Sequence, residues 1–594
     1  MSGGGRTWST SAVTRRAALG VMSLGVLGAC GLTVDETVRP GLDVEVPQDE
    51  GIQYQPEGPR AGMTPEDIVR GFLRAGAATG NGLSVARSYL TDEASRAWRP
   101  DDAQTIVHSD EGVVLRDEDG SLEVSARVVA RIDTDARLSL SRSTDGASVA
   151  FGMSQVAGEW RIAEVQEGFG RLLPLSRVDQ MYRRYRVHYT AIGWNRLVPD
   201  LRWIPSDQEA TRLVRTQLGR VPDHLDGAVQ TDETAELRFD AVPVISGVAQ
   251  VDLKRGLSAD PTLRRNLAAQ LVASLVQLPT VSEVAMSING SRVDIEGVDP
   301  PWTSPSQFGF IEARAPEEQS AVVRDGRRLV RVSLADVTSV TPEGVAALDT
   351  PFADVPADWN RLAVSLDGKE VAGVRSSGLE LVRWRDDGRA IPVEQFGRQM
   401  TKPVYDASGV LWVGGVGSEA GDRLWAINSS LDAGDAEAGP TKVPALWLSG
   451  RRPRSLSLSP DSACIAVISS EEDGKDVQIQ VSGVARQPNG LPTGTATRAL
   501  RVAAVIEDAI DLAWITPTTL AVLGRRPTDQ EIRPLVVEVG GLISALAPVR
   551  GARSIATTGG VRDLLVSASA GAYVRTGASW SKLSSPGAVV VPSA

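Results

Sequence analysis

Cysteine is nearly absent from this sequence: among 594 residues there are two, Cys30 and Cys464. At most one intramolecular disulfide is available, so stability has to come from packed cores, which a chain of this length can build in several domains. Histidine is almost as scarce, with only His108, His188 and His224. Their separations match no metal-ligand spacing, so no metal or cofactor is expected and each reads as structural or solvent-facing. Basic residues are outnumbered, 62 against 74 acids, for a net charge of −12. That balance argues against nucleic acid, which calls for a basic face. Long apolar runs are missing too. The one notable run, Ala17 to Ala29, is too short to cross a bilayer as a helix.

Signatures of catalysis are also missing. There is no Gly-x-Ser-x-Gly elbow and no phosphate-binding loop. Gly414-Gly415-Val416-Gly417 is glycine-rich but lacks the lysine a phosphate loop needs, and reads as an inter-strand loop. Asp117-Glu118-Asp119-Gly120 and Glu471-Glu472-Asp473-Gly474 lack calcium-loop spacing and read as exposed hairpin turns. No catalytic residue is assigned.

What is present begins with the N-terminus. Arg6, Arg15 and Arg16 form a positive region without acids, followed by the apolar run AALGVMSLGVLGA. This is the layout of an export signal, here assigned to 1–29. It ends in Leu27-Gly28-Ala29-Cys30, which resembles a lipobox. The expectation is cleavage between Ala29 and Cys30 and diacylglyceryl attachment to the Cys30 thiol, leaving the protein lipid-anchored outside the cytoplasm. Thr14-Arg15-Arg16 leaves general and twin-arginine export both open. If Cys30 is lipidated, Cys464 is alone; its setting, Ala-Cys-Ile-Ala-Val-Ile, reads as core. Residues 30–62 carry Pro40, Pro47, Pro56 and Pro59 and seven acids. As a flexible linker, roughly 31 residues span about 30 Å r.m.s..

Three segments follow. In 63–182, Thr64-Pro65-Glu66-Asp67 supplies an N-cap, a first-turn proline and acids at the positive helix end. Ile68, Phe72 and Leu73 then share a face, and a second helix is predicted over Leu83–Leu90. Leu122, Val124, Ala126 and Val128 alternate as in a strand, and Gly158-Glu159-Trp160-Arg161-Ile162 resembles the closing strand of cystatin-like or NTF2-like domains. In 183–300, Ser206-Asp207-Gln208-Glu209 is predicted to be a capping box, and Leu263, Leu267, Leu271 and Leu275 a helical stripe after Asp260-Pro261. Valines at 242, 244, 248 and 251 mark strands. From 301 to 594 helical periodicity fades. A strand–turn–strand unit recurs about Asp325-Gly326, Asp367-Gly368, Ser408-Gly409, Ser459-Pro460-Asp461-Ser462, Thr516-Pro517 and Gly559-Gly560. The turn-to-turn distance of about 40–57 residues is the period of propeller blades. Ala588–Val591 is placed as the strand that closes the ring. The predicted fold is therefore two α+β modules followed by an all-β propeller of five to seven blades, separable at Pro300-Pro301.

The ordered set resembles the actinobacterial LpqB lipoprotein family, whose middle module is GerMN-like. The resemblance covers essentially the whole chain. It rests on Pro65-Glu66-Asp67-Ile68-Val69-Arg70-Gly71-Phe72, Trp160-Arg161-Ile162, Leu197-Val198-Pro199, Gly247-x-x-x-Val251-Asp252-Leu253 and Gln270-Leu271-Val272. It implies no catalytic residues and an accessory role beside the sensor histidine kinase MtrB in envelope homeostasis and division.

Two functional classes follow. The first is a binding and regulatory lipoprotein, not an enzyme, whose partner is a kinase's extracytoplasmic domain. The second is an envelope protein that binds or hydrolyses glycan through the propeller funnel, for which two carboxylates about 5–10 Å apart would speak. Tyr182-Arg183-Arg184-Tyr185-Arg186-Val187-His188-Tyr189 interleaves bases with aromatics. It is either a site for an anionic wall polymer or a connecting strand with solvated arginines.

Overall fold

The computed structural model describes residues 56–78, 82–118, 121–142, 145–254, 260–311, 320–333, 352, 354–431, 435–582 and 589–590. The signal segment, Cys30 and most of the linker lie outside the described residues. Residues 57–62, assigned to the linker from composition, instead dock on the first module. The Glu57 carbonyl accepts from the Tyr89 hydroxyl at 2.7 Å, and Gly62 N donates to Glu159 at 2.9 Å.

The first module packs three helices on a seven-stranded sheet. Thr64 caps the helix Pro65–Gly76 by accepting from Asp67 N. Ile68, Val69 and Phe72 are buried on its inner face, whereas Leu73 is only partly covered. Phe72 meets Trp98 edge-on at 4.9 Å and Phe151 at 5.8 Å. Gly71 lets the second helix region approach, since a Cβ there would lie 2.4 Å from the Tyr89 ring. The sheet closes with a parallel pair, Gln104–His108 beside Phe169–Pro174.

The second module combines the hairpin Tyr182–Ala191/Leu197–Pro205 with a parallel pair, Val248–Leu253 and Glu283–Ile288, joined through the helix Pro261–Leu275. Asp260 caps that helix as expected. The apolar stripe understates its burial, because every residue from Asn266 to Leu275 is buried. Its polar members are satisfied inside: Gln270 donates to Gln230 O at 3.0 Å, and Ser274 donates to Gln217 at 2.7 Å. The expected capping box at Ser206 is not formed. Ser206 N donates to Met181 O, prolonging the hairpin, and the helix Glu209–Gln217 starts after Gln208 in a left-handed conformation without a side-chain cap. The chain just past Pro301, assigned to the propeller, also belongs here. Trp302 bridges to Val284 and stacks edge-on with Phe308 at 5.4 Å, and Arg265 donates to Phe308 O.

Among the described residues, six sheets form the propeller. Each of the six sequence units maps to the first hairpin of a blade (or, in blade 1, its second and third strands). The turn chemistry explains the repeat. In blade 2, Ser365 Oγ donates to Asp367 at 2.7 Å and accepts from Glu370 N at 2.9 Å, and Gly368 takes φ 65°. Blade 4 repeats this with Ser459, Asp461 and Ser462, Cys464 N donating to Ser459 Oγ at 2.9 Å. Blade 3 moves the carboxylate to Asp406, which accepts from Ser408 N and Val410 N. The innermost strands follow one another around the axis. The ring closes where Val589–Val590 pairs with Ser320–Asp325 and lies beside Trp359–Val364.

The propeller and second module share one hydrophobic core, which runs from Tyr185 and Leu271 through Leu225 into Cys464, Ile468, Leu512 and Val537. The boundary expected at Pro300-Pro301 therefore does not coincide with a break in the hydrophobic core. The outer strand of blade 4 is split into Pro492–Thr495 and Leu500–Val502. Opposite the gap Gly483 N donates to His224 O at 2.7 Å.

Candidate functional site: a three-module junction

The junction is built on the strand Leu197–Pro205. Asp200 and Arg202 sit two residues apart, so they share one face. Both are almost fully buried. Arg202 donates to Asp200 Oδ2 through Nε at 3.1 Å and Nη2 at 2.6 Å, to Tyr189 OH at 3.2 Å and to the first module's Asp135 O. Arg137, also from the first module, donates to the same Asp200 oxygen at 3.2 Å. Burial opposes charge on Asp200, but Arg202 and Arg137 overcome it and hold the carboxyl well below the usual carboxylate range.

Trp203, fully buried, ties both neighbours to this strand. Its backbone N donates to Ala136 O at 2.7 Å in the first module, and its indole N–H donates to Gly540 O at 2.9 Å in blade 5. Arg184 lies over the same ring and pairs with Glu538 at 2.8 Å. On the blade 3–4 side, Arg486 is sandwiched between Trp194 of the second module (5.0 Å) and Trp412 (5.6 Å) and pairs with Asp406 at 2.7 Å.

The sequence candidates fall into place around this junction. In the 182–189 stretch, Tyr182 OH bonds Thr105 Oγ1 at 2.8 Å, Arg186 donates to Gln277 and Tyr189 OH accepts from Arg202. Tyr185 is pushed up to about 12 by burial and by Glu209. The alternation of bases and aromatics therefore builds contacts between modules and within the second. Arg183 and Arg186 remain exposed.

His188 bonds Ser274 at 3.1 Å and is pushed down to about 3 by burial, reinforced by Arg186. His224 lies 3.8 Å from Asp200, yet burial outweighs that attraction and lowers it to about 4. It is therefore neutral, since Asp200 is already satisfied by two guanidiniums. His108 is buried against Ser109 O. Cys464 is buried in blade 4, and burial raises its thiol well above the ordinary value. Glu471–Gly474 forms a hairpin turn, with Gly474 N donating to Glu471 O. Gly414 ends the strand Val410–Gly414, and Gly415 to Gly417 follow it. Asp117 and Glu118 end a strand, while Asp119 and Gly120 lie outside the described residues. Among the described residues no group of three His, Cys, Asp or Glu is clustered for a metal, and no helix is long and apolar enough to cross a membrane.

A second buried charge group joins blades 2 and 3. Arg383 binds Glu370 through both ends of its fork, at 2.8 and 2.9 Å, and Tyr405 OH donates to Glu370 at 2.7 Å. In the middle of the propeller, Asp511 accepts from Ser455 Oγ and Ile555 N, linking inner strands of blades 4, 5 and 6. Sequence reasoning missed Asp200, Arg202 and Trp203. The available signal was a charge pair two residues apart inside the apolar segment Leu197–Ile204.

This arrangement defines a multi-module protein in which a small α+β module is fixed between a second α+β module and a six-sheet propeller. Three family models match the chain in that order. These are the lipoprotein LpqB N-terminal domain over residues 58–179, the sporulation and spore germination (Germane) domain over 185–294, and the lipoprotein LpqB beta-propeller domain over 322–593. The chain belongs to the LpqB lipoprotein family. It is 27% identical to lipoprotein LpqB of Thermobifida fusca, over 79% of this chain and 80% of that one. It is 28% identical to that of Nocardia farcinica, over 84% of each, and 24% identical to that of Cutibacterium acnes, over 89% of each. Among solved structures it is similar to a gluconolactonase from Xanthomonas campestris. That match has 15% identity, a TM-score of 0.27, and covers 48% of this chain and 92% of that one. A score that low carries no functional argument.

Proposed function

We propose that this protein is anchored through lipidated Cys30 on the extracytoplasmic face of the membrane and acts there as a non-enzymatic binding accessory of a sensor histidine kinase. The observation that carries the reading is the junction. Trp203, Asp200 and Arg202 bind first and second modules together, and Trp203, Arg184 and Gly483 bind the second module to the propeller. The result is one preorganised body, whose surface loses little conformational freedom on docking. The buried ionisable groups support the same reading, because Asp200, Glu370 and Asp406 are each neutralised by arginines in structural contacts. Tethering to the same membrane raises the effective concentration of a partner, to the order of mM for short linkers, so a weak interface suffices. To change kinase output, the lipoprotein has to bind one kinase state better than the other.

The test is co-reconstitution of kinase and lipoprotein in one membrane, with autophosphorylation measured at several lipoprotein densities, alongside crosslinking in intact cells. A density-dependent change with a kinase crosslink supports the reading. Unchanged output and no crosslink reject it.

A further inference from the structure

We propose that one mouth of the propeller is a binding site for a phosphate-bearing ligand, built on Arg361 and Arg452. Innermost strands Trp359–Val364, Arg452–Leu458 and Asp508–Thr516 belong to blades 2, 4 and 5, and residues at their beginnings line a shared depression of about 280 Å³. Arg361, Arg452 and Arg454 line it together with Ser377 and Gln399, and none of its described lining residues is acidic. On a chain of net charge −12, that is a local reversal of sign.

The three arginines are not equivalent. Arg454 is countered by Asp508 at 3.4 Å. Arg361 donates to the Met400 carbonyl, which is neutral. Arg452 makes no side-chain hydrogen bond or ion pair with any described residue, and it is partly buried. Burial and the neighbouring Arg452 both depress the Arg361 guanidinium. Two like charges facing one depression without a carboxylate raise the energy of the empty site. By contrast, the buried Arg202, Arg383 and Arg486 are paired with Asp200, Glu370 and Asp406.

A ligand that removes the repulsion has to carry about two negative charges. A phosphate monoester does so near neutral pH, with three acceptor oxygens for the guanidinium donors, whereas a carboxylate brings only one charge. The volume admits more than a bare phosphate, and the lining hydroxyl of Ser377 and amide of Gln399 suit the hydroxyls of a polyol or sugar. The site is separate from the module junction and stands whether or not the kinase reading holds.

The test uses the full lipid-anchored chain in phosphatidylcholine nanodiscs, titrated with glycerol 3-phosphate, inorganic phosphate and glycerol. Saturable binding of either phosphate but not of glycerol is expected, weakened at least about ten-fold by Arg452→Gln or Arg361→Gln. It should be unchanged by Arg562→Gln, an exposed arginine on blade 6. Because Arg452 has no partner to lose, Arg452→Gln should keep or raise the melting temperature, which separates loss of binding from unfolding. Discs containing phosphatidic acid, whose headgroup is itself a phosphate monoester, distinguish the source. Glycerol 3-phosphate binding that is blunted by that lipid in an Arg452-dependent way identifies a headgroup in the site, and unaffected binding identifies a soluble phosphate. No saturable binding in either disc, or binding indifferent to Arg452, overturns the proposal.

Discussion

Acid should weaken this protein well above the carboxylate range, and His188 and His224 are the reason. Burial holds the two imidazoles at about 3 and about 4 in the folded chain. An unfolded histidine titrates at about 6.5. Between these values the unfolded chain binds protons that the folded chain refuses, so stability falls as pH falls. The contribution is fully present above about pH 6.5 and is lost progressively toward pH 3–4. At pH 5 both folded imidazoles are still neutral, and each refused proton costs about 2 kcal/mol, or about 4 kcal/mol for the pair. Asp200 does not enter this window, because a depressed carboxyl loses its contribution only below about pH 4. Asp461, raised by burial, works with the opposite sign, but it is common to parent and variants and cancels in the comparison. Urea unfolding at pH 8 and pH 5, followed by tryptophan fluorescence, measures the loss. The variants His188→Gln and His224→Gln should each remove about 1.4 kcal/mol per pH unit from the slope between pH 6 and 5. Variants as steep as the parent between pH 6 and 5 would refute the assignment of neutral, desolvated histidines.

Other outcomes follow from the junction and the anchor. Asp200→Asn leaves Arg202 buried without its counter-charge, while Arg137 keeps Asp135 at 3.7 Å, and should destabilise the chain by about 3–5 kcal/mol in the same urea assay. Gly483→Val puts a Cβ 2.7 Å from the Ala228 Cβ and 3.2 Å from the Leu225 Cα. It should cost about 1–3 kcal/mol and turn a protease-resistant body into one that yields a propeller fragment, whereas the parent should resist cutting between second module and propeller. Cys30→Ala should abolish incorporation of a fatty-acid probe during growth; undiminished label would remove the basis for the anchor.

The elements legible in the sequence are those whose cause is local. The Ser-x-Asp-Gly turn carries its own hydrogen bonds, so Ser365 to Gly368 and Ser459 to Ser462 announce hairpins without reference to the rest of the chain. Thr64 and Asp260 do the same for their helices. Ser206 shows the limit. Its four-residue pattern satisfies a capping box, but a backbone bond to Met181, 25 residues away, extends the hairpin instead. The stripe Leu263 to Leu275 gave the inner face of its helix, while the burial of Asn266, Gln270 and Ser274 depended on acceptors in Gln230 and Gln217 that periodicity does not reveal.

The junction was illegible for a related reason. A charged residue is read as surface unless a partner is known, and the partners of Asp200 and Arg202 include Arg137 and the carbonyl of Asp135, more than 60 residues earlier. Gly483 looks like any strand glycine until Leu225 and Ala228 are set against it. Pro300-Pro301 suggested a boundary because the sequence pattern changes there. Yet Trp302 and Phe308 turn back onto the second module, and its core continues into blades 4 and 5. Pattern marks where the type of secondary structure changes, whereas a core ends where apolar contact ends. In this chain those two places differ, and the residues that hold the three modules as one body lie between them.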